Sequence, residues 1–164
     1  YGPYQYPEKL IPVVIHRALA EDAIPVYGEG DNVRDWLFVD DHATALLAVM
    51  SRGKSGRTYN IGGDSERTNL EVVETICRVL DDISPREAGV YADLIEFVQD
   101  RPGHDFRYAI NAARIKAELG WHPQVMFENG IRRTIEWYLD NQGWVDTVGG
   151  AAATKTRLGL GGSE

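Results

Sequence analysis

Pro25-Val26-Tyr27-Gly28-Glu29-Gly30-Asp31-Asn32-Val33-Arg34-Asp35-Trp36-Leu37-Phe38-Val39-Asp40-Asp41-His42 is the stretch that sets the architecture. Its first three residues read as a short strand. Residues 28–32 form a turn rich in residues that accept positive φ, and the Gly28-x-Gly30 spacing reads as a hairpin turn. Residues 34–39 are again strand-like, dense in aromatic and aliphatic side chains. Asp40 or Asp41 then caps a helix whose buried face is Ala43, Leu46, Leu47 and Met50.

Toward the amino terminus, Gly2, Pro3 and Pro7 mark residues 1–8 as loop. Leu10, Ile11, Val14, Ile15, Ala18 and Leu19 then recur at helical spacing over residues 9–20, with Pro12 in the first turn. Toward the carboxy terminus, residues 58–61 read as a brief strand ending at Gly62-Gly63. Thr68 and Glu71 have the spacing of a capping box, opening a helix that carries Val72, Val73, Ile76, Val79, Leu80 and Ile83 and stops at Ser84-Pro85. Residues 91–98 read as loop then strand, and residues 108–110 as one more short strand. Asn111 caps a helix over 112–119, with Gly120 at the position that follows its end. Phe127, Ile131, Ile135 and Tyr138 predict a last long helix to about Asn141.

Short strands alternating with helices place the chain in the α/β class, with α+β character. One folded body is expected over 1–148. From Gly149 the composition collapses to small residues, and 149–164 is expected to be a disordered tail. The opening at Tyr1 rather than Met, in what reads as the middle of a turn, suggests a fragment.

Across 164 residues, 17 Lys and Arg stand against 25 Asp and Glu, a net charge of −8, with 43% hydrophobic and 26% charged residues. A chain of this size can form one domain that buries roughly 70% of its unfolded surface. Apolar runs fall far short of the ~20 residues a membrane helix needs, so no membrane partner is expected. The acidic balance argues against nucleic acid as a partner. The lone Cys77 excludes a disulfide scaffold, and with no signal peptide in view a reducing, cytoplasmic compartment is expected.

Several familiar chemistries are missing their residues. The dinucleotide fingerprint would need a third glycine where Val33 stands. Gly53-Lys54-Ser55 only mimics a phosphate loop, because the required upstream glycine is absent. His16, His42, His104 and His122 never reach metal-ligand spacing. Cys77 lies in a Leu/Val-rich helix and reads as core. No Gly-x-Ser-x-Gly elbow occurs, and Asp40-Asp41 reads as a helix cap rather than an acid/base pair.

What remains is a set of isolated cations on stiff backbone: Lys9 after Pro7, Arg34 within a strand, and Arg101 in Asp100-Arg101-Pro102-Gly103-His104-Asp105. In an acidic protein this suits a compact anion such as a diphosphate, gripped bidentately by arginine with lysine as a point charge. The plainer alternative pairs Arg34 with Asp35 or Asp40, and Arg101 with Asp100 or Asp105, as surface salt bridges.

These segments, in this order, resemble the carboxy-terminal half of the dTDP-glucose 4,6-dehydratases, a family of extended short-chain dehydrogenases/reductases. The resemblance rests on the stretches from Tyr1 to Pro12, Pro25 to Gly30, Val33 to His42 and Tyr59 to Gly63, and on Asn69. Above all it rests on Asp100-Arg101-Pro102-Gly103-His104-Asp105 followed by Arg107-Tyr108-Ala109-Ile110. It covers residues 1 to about 145, and the family usually has Asn where Ser65 stands.

The resemblance implies a carboxy-terminal substrate-binding lobe plus edge elements of a Rossmann-type fold. Residues 59–61 and the helix after Asp41 would lie at the sheet edge and expose apolar surface. Lys9 and Leu10 match substrate positions. Pro25, Val26 and Tyr27 match the strand along the nucleobase, and Arg34 matches the arginine on the diphosphate. Asn69, Asp100, Arg101, Pro102, Gly103 and His104 match further nucleotide and phosphate contacts. The implied enzyme is a homodimeric lyase of deoxysugar synthesis. It converts dTDP-glucose to dTDP-4-dehydro-6-deoxyglucose by NAD-mediated hydride transfer with loss of water. The family's dinucleotide fingerprint, its Tyr-x-x-x-Lys pair and its dehydrating Asp-Glu pair would all precede Tyr1. The resemblance therefore assigns no catalytic residue to this chain and puts NAD on an amino-terminal part. A sister enzyme of the UDP-glucose 4-epimerase or UDP-glucuronate decarboxylase type, or a non-catalytic nucleotide-sugar-binding module, is the alternative.

Overall fold

In the computed structural model, which describes residues 1–153, the amino-terminal apolar stripe winds into α1 (Leu10–Leu19), burying Ile11, Val14, Ile15 and Ala18. Pro12 sits in the first turn, where backbone N–H groups have no helical partner to lose. There follow β1 (Ile24–Tyr27), β2 (Val33–Asp35), α2 (Val39–Arg52), β3 (Glu66–Thr68) and α3 (Asn69–Ile83). A 3-10 turn (Tyr91–Leu94), β4 (Ile95–Val98), α4 (Ala113–Leu119), α5 (Phe127–Asp140) and α6 (Gln142–Ala153) complete the order.

The expected hairpin is not there. β1 pairs in parallel with β4, Ile24 opposite Ile95 and Tyr27 opposite Val98, while β2 pairs antiparallel with β3, Val33 opposite Thr68. The glycine turn carries the chain from one sheet to the other. Gly28 donates its N–H to the Val98 carbonyl at 2.9 Å, and the Gly30 carbonyl accepts from Leu70 at 3.0 Å. Gly30 has φ +76°, and a Cβ there would lie 2.8 Å from both Leu70 and Val26. Its conformational freedom is used to pack the turn under the start of α3.

α3 begins as its spacing predicts. The Thr68 hydroxyl accepts from the Glu71 N–H at 3.1 Å, and the Glu71 carboxylate accepts from the Thr68 N–H at 2.7 Å. Its buried side chains Val72, Val73, Ile76, Cys77 and Leu80 join those of α1, β1 and α5 in the main core. A second, smaller core joins Ala45 and Ala48 of α2 to Ile115 and Leu119 of α4, with Tyr59 and Ile61 packed against it.

Several local expectations are corrected. The ladder of β2 ends at Asp35, so the strand-like run to position 39 is only partly paired. Residues 58–61 and 108–110 belong to no strand, the nearest pairing being a single bridge of Val33 to Arg107. α2 begins at Val39 with no side-chain cap. Asp40 instead pairs with Arg133 at 3.0 Å. The inner face of α2 is Asp41, Ala45 and Ala48, because only small residues allow close approach to α4. Leu46, Leu47 and Met50 are 46%, 63% and 82% exposed, and Ala43 is exposed too. The N-cap of α4 is Ala112, although the Asn111 side chain does accept the Ala113 N–H at 2.9 Å. Gly120 takes the left-handed conformation that ends the helix, at φ +64°. α6 runs to Ala153, so the boundary expected at Gly149 falls inside a helix. The rest of the expected tail lies outside the described residues.

Candidate functional site

Parallel pairing of β1 with β4 puts the carboxyl ends of both strands at one edge, the end at which open α/β sheets present their ligand loops. The turn after β1 and the loop after β4 therefore meet: a Cβ added at Gly28 would lie 3.5 Å from the Asp100 side chain. The start of α1, the middle of β2 and the first residue of α3 close round the same edge. Between them is a cavity of about 490 Å³.

Lys9, Leu10, Pro25, Tyr27, Arg34, Asn69, Arg101 and His104 all line it. Each arrives by a local rule. Pro25 and Tyr27 alternate outward along β1 while Val26, 2% exposed, points into the core. Val26 is thus off the cavity wall. Pro102 and Gly103 are exposed in a turn with Gly103 at φ +69°, and they do not line the cavity either. Asp100 stands behind the wall. Its carboxylate bonds the His104 Nδ1 at 2.7 Å and the Arg101 N–H at 2.8 Å. That bond to His104 is the main cause holding the Asp100 carboxyl below the usual carboxylate range. The His104 side chain is 7% exposed and meets the Tyr27 ring edge-on at 6.4 Å.

Gln5, Glu8, Val13, Val14, Arg17, Asp35 and Trp36 also line the cavity and were not among the sequence candidates. Helical spacing contained part of that signal: positions 10, 13, 14 and 17 share one helix face. Nothing local marks Gln5 or Trp36.

The cations are not spent on carboxylates in the way surface pairing would require. Among the described residues neither Arg34 nor Arg101 has a carboxylate within ion-pair distance; Lys9 alone of the three sequence candidates has one, Glu8 at 2.6 Å. Asp35 is occupied by the N–H groups of Gly63 and Ser65, at 2.8 and 2.9 Å. This contact to Ser65 is through its backbone, as is its carbonyl's bond from the Trp36 N–H at 3.1 Å. Arg34 donates to the carbonyls of Val33 and Asp105 at 2.7 and 2.9 Å and lies over the Tyr108 ring. The wall thus carries Lys9, Arg17, Arg34 and Arg101 against Glu8 and Asp35, a local cationic excess in a chain of net charge −8. Among the described residues no group of His, Cys, Asp and Glu is placed to hold a metal ion. No described helix is long and apolar enough to cross a membrane.

A family model of GDP-mannose 4,6 dehydratases matches residues 1–134. The chain belongs to this family. Within it, the chain is similar to dTDP-glucose 4,6-dehydratase of Shigella flexneri, 59% identical over 148 residues that are 90% of this chain and 41% of the relative. The enzyme of that name from Neisseria meningitidis serogroup B is 55% identical, over 98% of this chain and 46% of the relative. The chain thus spans less than half the length of these curated relatives. Among solved structures it resembles dTDP-glucose 4,6-dehydratase from Bacillus anthracis in complex with NAD, with TM-score 0.79 and 47% identity over 90% of this chain and 44% of that one. UDP-glucose 4-epimerase from Thermotoga maritima with UDP-glucose has TM-score 0.73 and 26% identity, over 87% of this chain and 44% of that one. The fold is accordingly a partial region of the Rossmann-type, extended short-chain dehydrogenase/reductase architecture.

Proposed function

We propose that this chain is the nucleotide-sugar-binding part of a dTDP-glucose 4,6-dehydratase, a lyase that removes water from an activated hexose. The observation that carries the reading is the gathering of Lys9, Arg34 and Arg101 in one cavity with Tyr27, Asn69 and His104. The names of its relatives support it too: those 55% and 59% identical are dTDP-glucose 4,6-dehydratases. In this reading the arginines take the diphosphate through charge-assisted bonds, Tyr27 supplies an aromatic face for the base, and Asn69 offers an amide for directional recognition. The homodimer and the cytoplasmic setting go with the same reading and rest on the resemblance.

NAD is present in the Bacillus anthracis relative, and the glycine turns at Gly30 and at Gly62-Gly63 do not fit its pyrophosphate. The usual dinucleotide pyrophosphate site is a glycine turn left open to the ligand at the start of a helix. Gly30 is closed over by Leu70 and Val26, and Cβ atoms at Gly62 and Gly63 would meet Asp35 and the Trp36 carbonyl at 2.7 and 2.3 Å. We therefore assign the cofactor, and the hydride chemistry it supplies, to a part of the enzyme outside this chain.

Calorimetric titration of the complete protein with dTDP and with UDP tests the reading. Preference for dTDP is expected, and Arg34→Ala should weaken it by about 1.5–3 kcal/mol, the range for a hydrogen bond to a charged group. Preference for UDP would favour a sister epimerase or decarboxylase. An unchanged Kd in Arg34→Ala would remove Arg34 from the site.

A further inference from the structure

Arg34 is held by its neighbour Val33 and by the segment that follows the cavity loop. Its Nη1 donates to the Val33 carbonyl at 2.7 Å and to the Phe106 carbonyl at 3.5 Å, and its Nη2 to the Asp105 carbonyl at 2.9 Å. Its Cζ stands 4.6 Å from the centroid of the Tyr108 ring. Tyr108 is itself fixed twice. Its N–H donates to the Val33 carbonyl at 3.0 Å, and its phenol hydroxyl bonds the Asp105 carboxylate. Val33 returns the tie by donating its N–H to Phe106 at 2.7 Å.

A guanidinium has five N–H donors in one plane. The carbonyl bonds take both Nη1 hydrogens and one on Nη2. Left over are the Nε hydrogen and the second Nη2 hydrogen, two donors able to take a pair of anion oxygens side by side. We propose that Tyr108 is a positioning residue for the diphosphate: its ring fixes the plane of the Arg34 guanidinium, so that this remaining pair of donors faces the anion. The proposal rests on the nucleotide-sugar reading above.

Two features favour this role over a packing role. Tyr108 is 54% exposed, and a ring so placed adds little to a core. The ring also holds a cation without neutralising it. A carboxylate in the same place would compete with phosphate for the remaining donors, whereas a π face engages the guanidinium perpendicular to them. A side chain already stacked and bonded to carbonyls has little rotamer freedom left to lose on binding.

The test is the dTDP affinity of the complete protein carrying Tyr108→Leu, Tyr108→Phe, Arg34→Ala and the double variant Arg34→Ala/Tyr108→Leu. Loss of the ring should weaken binding about three- to tenfold, the range of a partly desolvated cation–π contact, and Phe should restore it to within about twofold. In the Arg34→Ala background, Tyr108→Leu should cause no further loss. The proposal is overturned if Tyr108→Leu binds like the parent, if Phe is as weak as Leu, or if the loss persists without Arg34. An Arg34→Ala variant that binds dTDP normally also overturns it, whereas a parent protein that does not bind dTDP would overturn the nucleotide-sugar reading instead, so the two failures are separable.

Discussion

Asp41, in the first turn of α2, accepts the backbone N–H groups of Gln124 and Val125 on a single carboxylate oxygen, at 3.1 and 2.9 Å. The residue is 3% exposed. A charge this deep persists only when hydrogen-bonded. Here it holds the turn that leads into α5, so the smaller core built on α2 is anchored to the larger one that contains α5. A residue that reads locally as a helix cap is a tertiary tie.

Asp41→Ala leaves two backbone donors short of an acceptor and should cost about 2–4 kcal/mol, the range for losing buried hydrogen bonds to a charged group. Asp41→Asn keeps one side-chain oxygen and should cost less. Urea unfolding of both variants checks the order, and equal stability of Asp41→Ala and the parent would refute it.

Gly30 and Gly103 have similar positive φ, +76° and +69°, but different surroundings. A methyl at Gly103 meets nothing within 4 Å, whereas one at Gly30 lies 2.8 Å from Val26 and Leu70. Gly103→Ala should cost about 1 kcal/mol of backbone strain, and Gly30→Ala more, with overpacking adding about 1–3 kcal/mol. Paired thermal melts measure the gap; an equal loss at both sites would disprove the packing account.

The outward ridge of α2 should tolerate polar residues. In this chain taken alone, Leu47→Gln and Met50→Gln are expected within about 0.5 kcal/mol of the parent. Ile76→Ala, fully buried, should cost about 2–5 kcal/mol. Denaturant midpoints separate these classes, and a large loss at Leu47 would mean that the ridge is covered in solution.

Cys77 is buried, and desolvation, with Asp81 adding, pushes its thiol up to about 12. The unfolded thiol ionises near ~8.5. Below that pH both states keep the proton and the contribution of the buried neutral thiol is complete; between there and about 12 only the unfolded chain ionises, so stability falls as pH rises. At pH 8 a disulfide reagent should leave the native protein unlabelled while labelling it in urea. Rapid native labelling would contradict the burial.

His104 depresses the Asp100 carboxyl through their hydrogen bond. A lowered folded value means that the contribution is present above the unfolded value of about 3.9 and is lost as pH falls through the folded one. A carboxyl titration followed by NMR should show Asp100 rising toward its ordinary range in His104→Phe. An unmoved midpoint would show that the bond is not formed in solution.

What residue order determined by itself was local. The stripe of α1, the capping box of α3, the four-residue steps of α5 and the left-handed Gly120 each depend on energies within a few residues along the chain. So does the recurrence of Lys9, Arg34 and Arg101 on backbone stiffened by proline or by strand. Only the tertiary structure decided that β1 pairs with β4 rather than with its sequence neighbour β2, and that pairing is what brings Arg101 and His104 to Tyr27. It also turned Leu46, Leu47 and Met50 outward, buried Asp41 and laid Arg34 on Tyr108. The physical reason is that a side-chain period states that a face exists without stating which partner covers it. Partner and register follow from packing and hydrogen bonds between segments far apart in sequence.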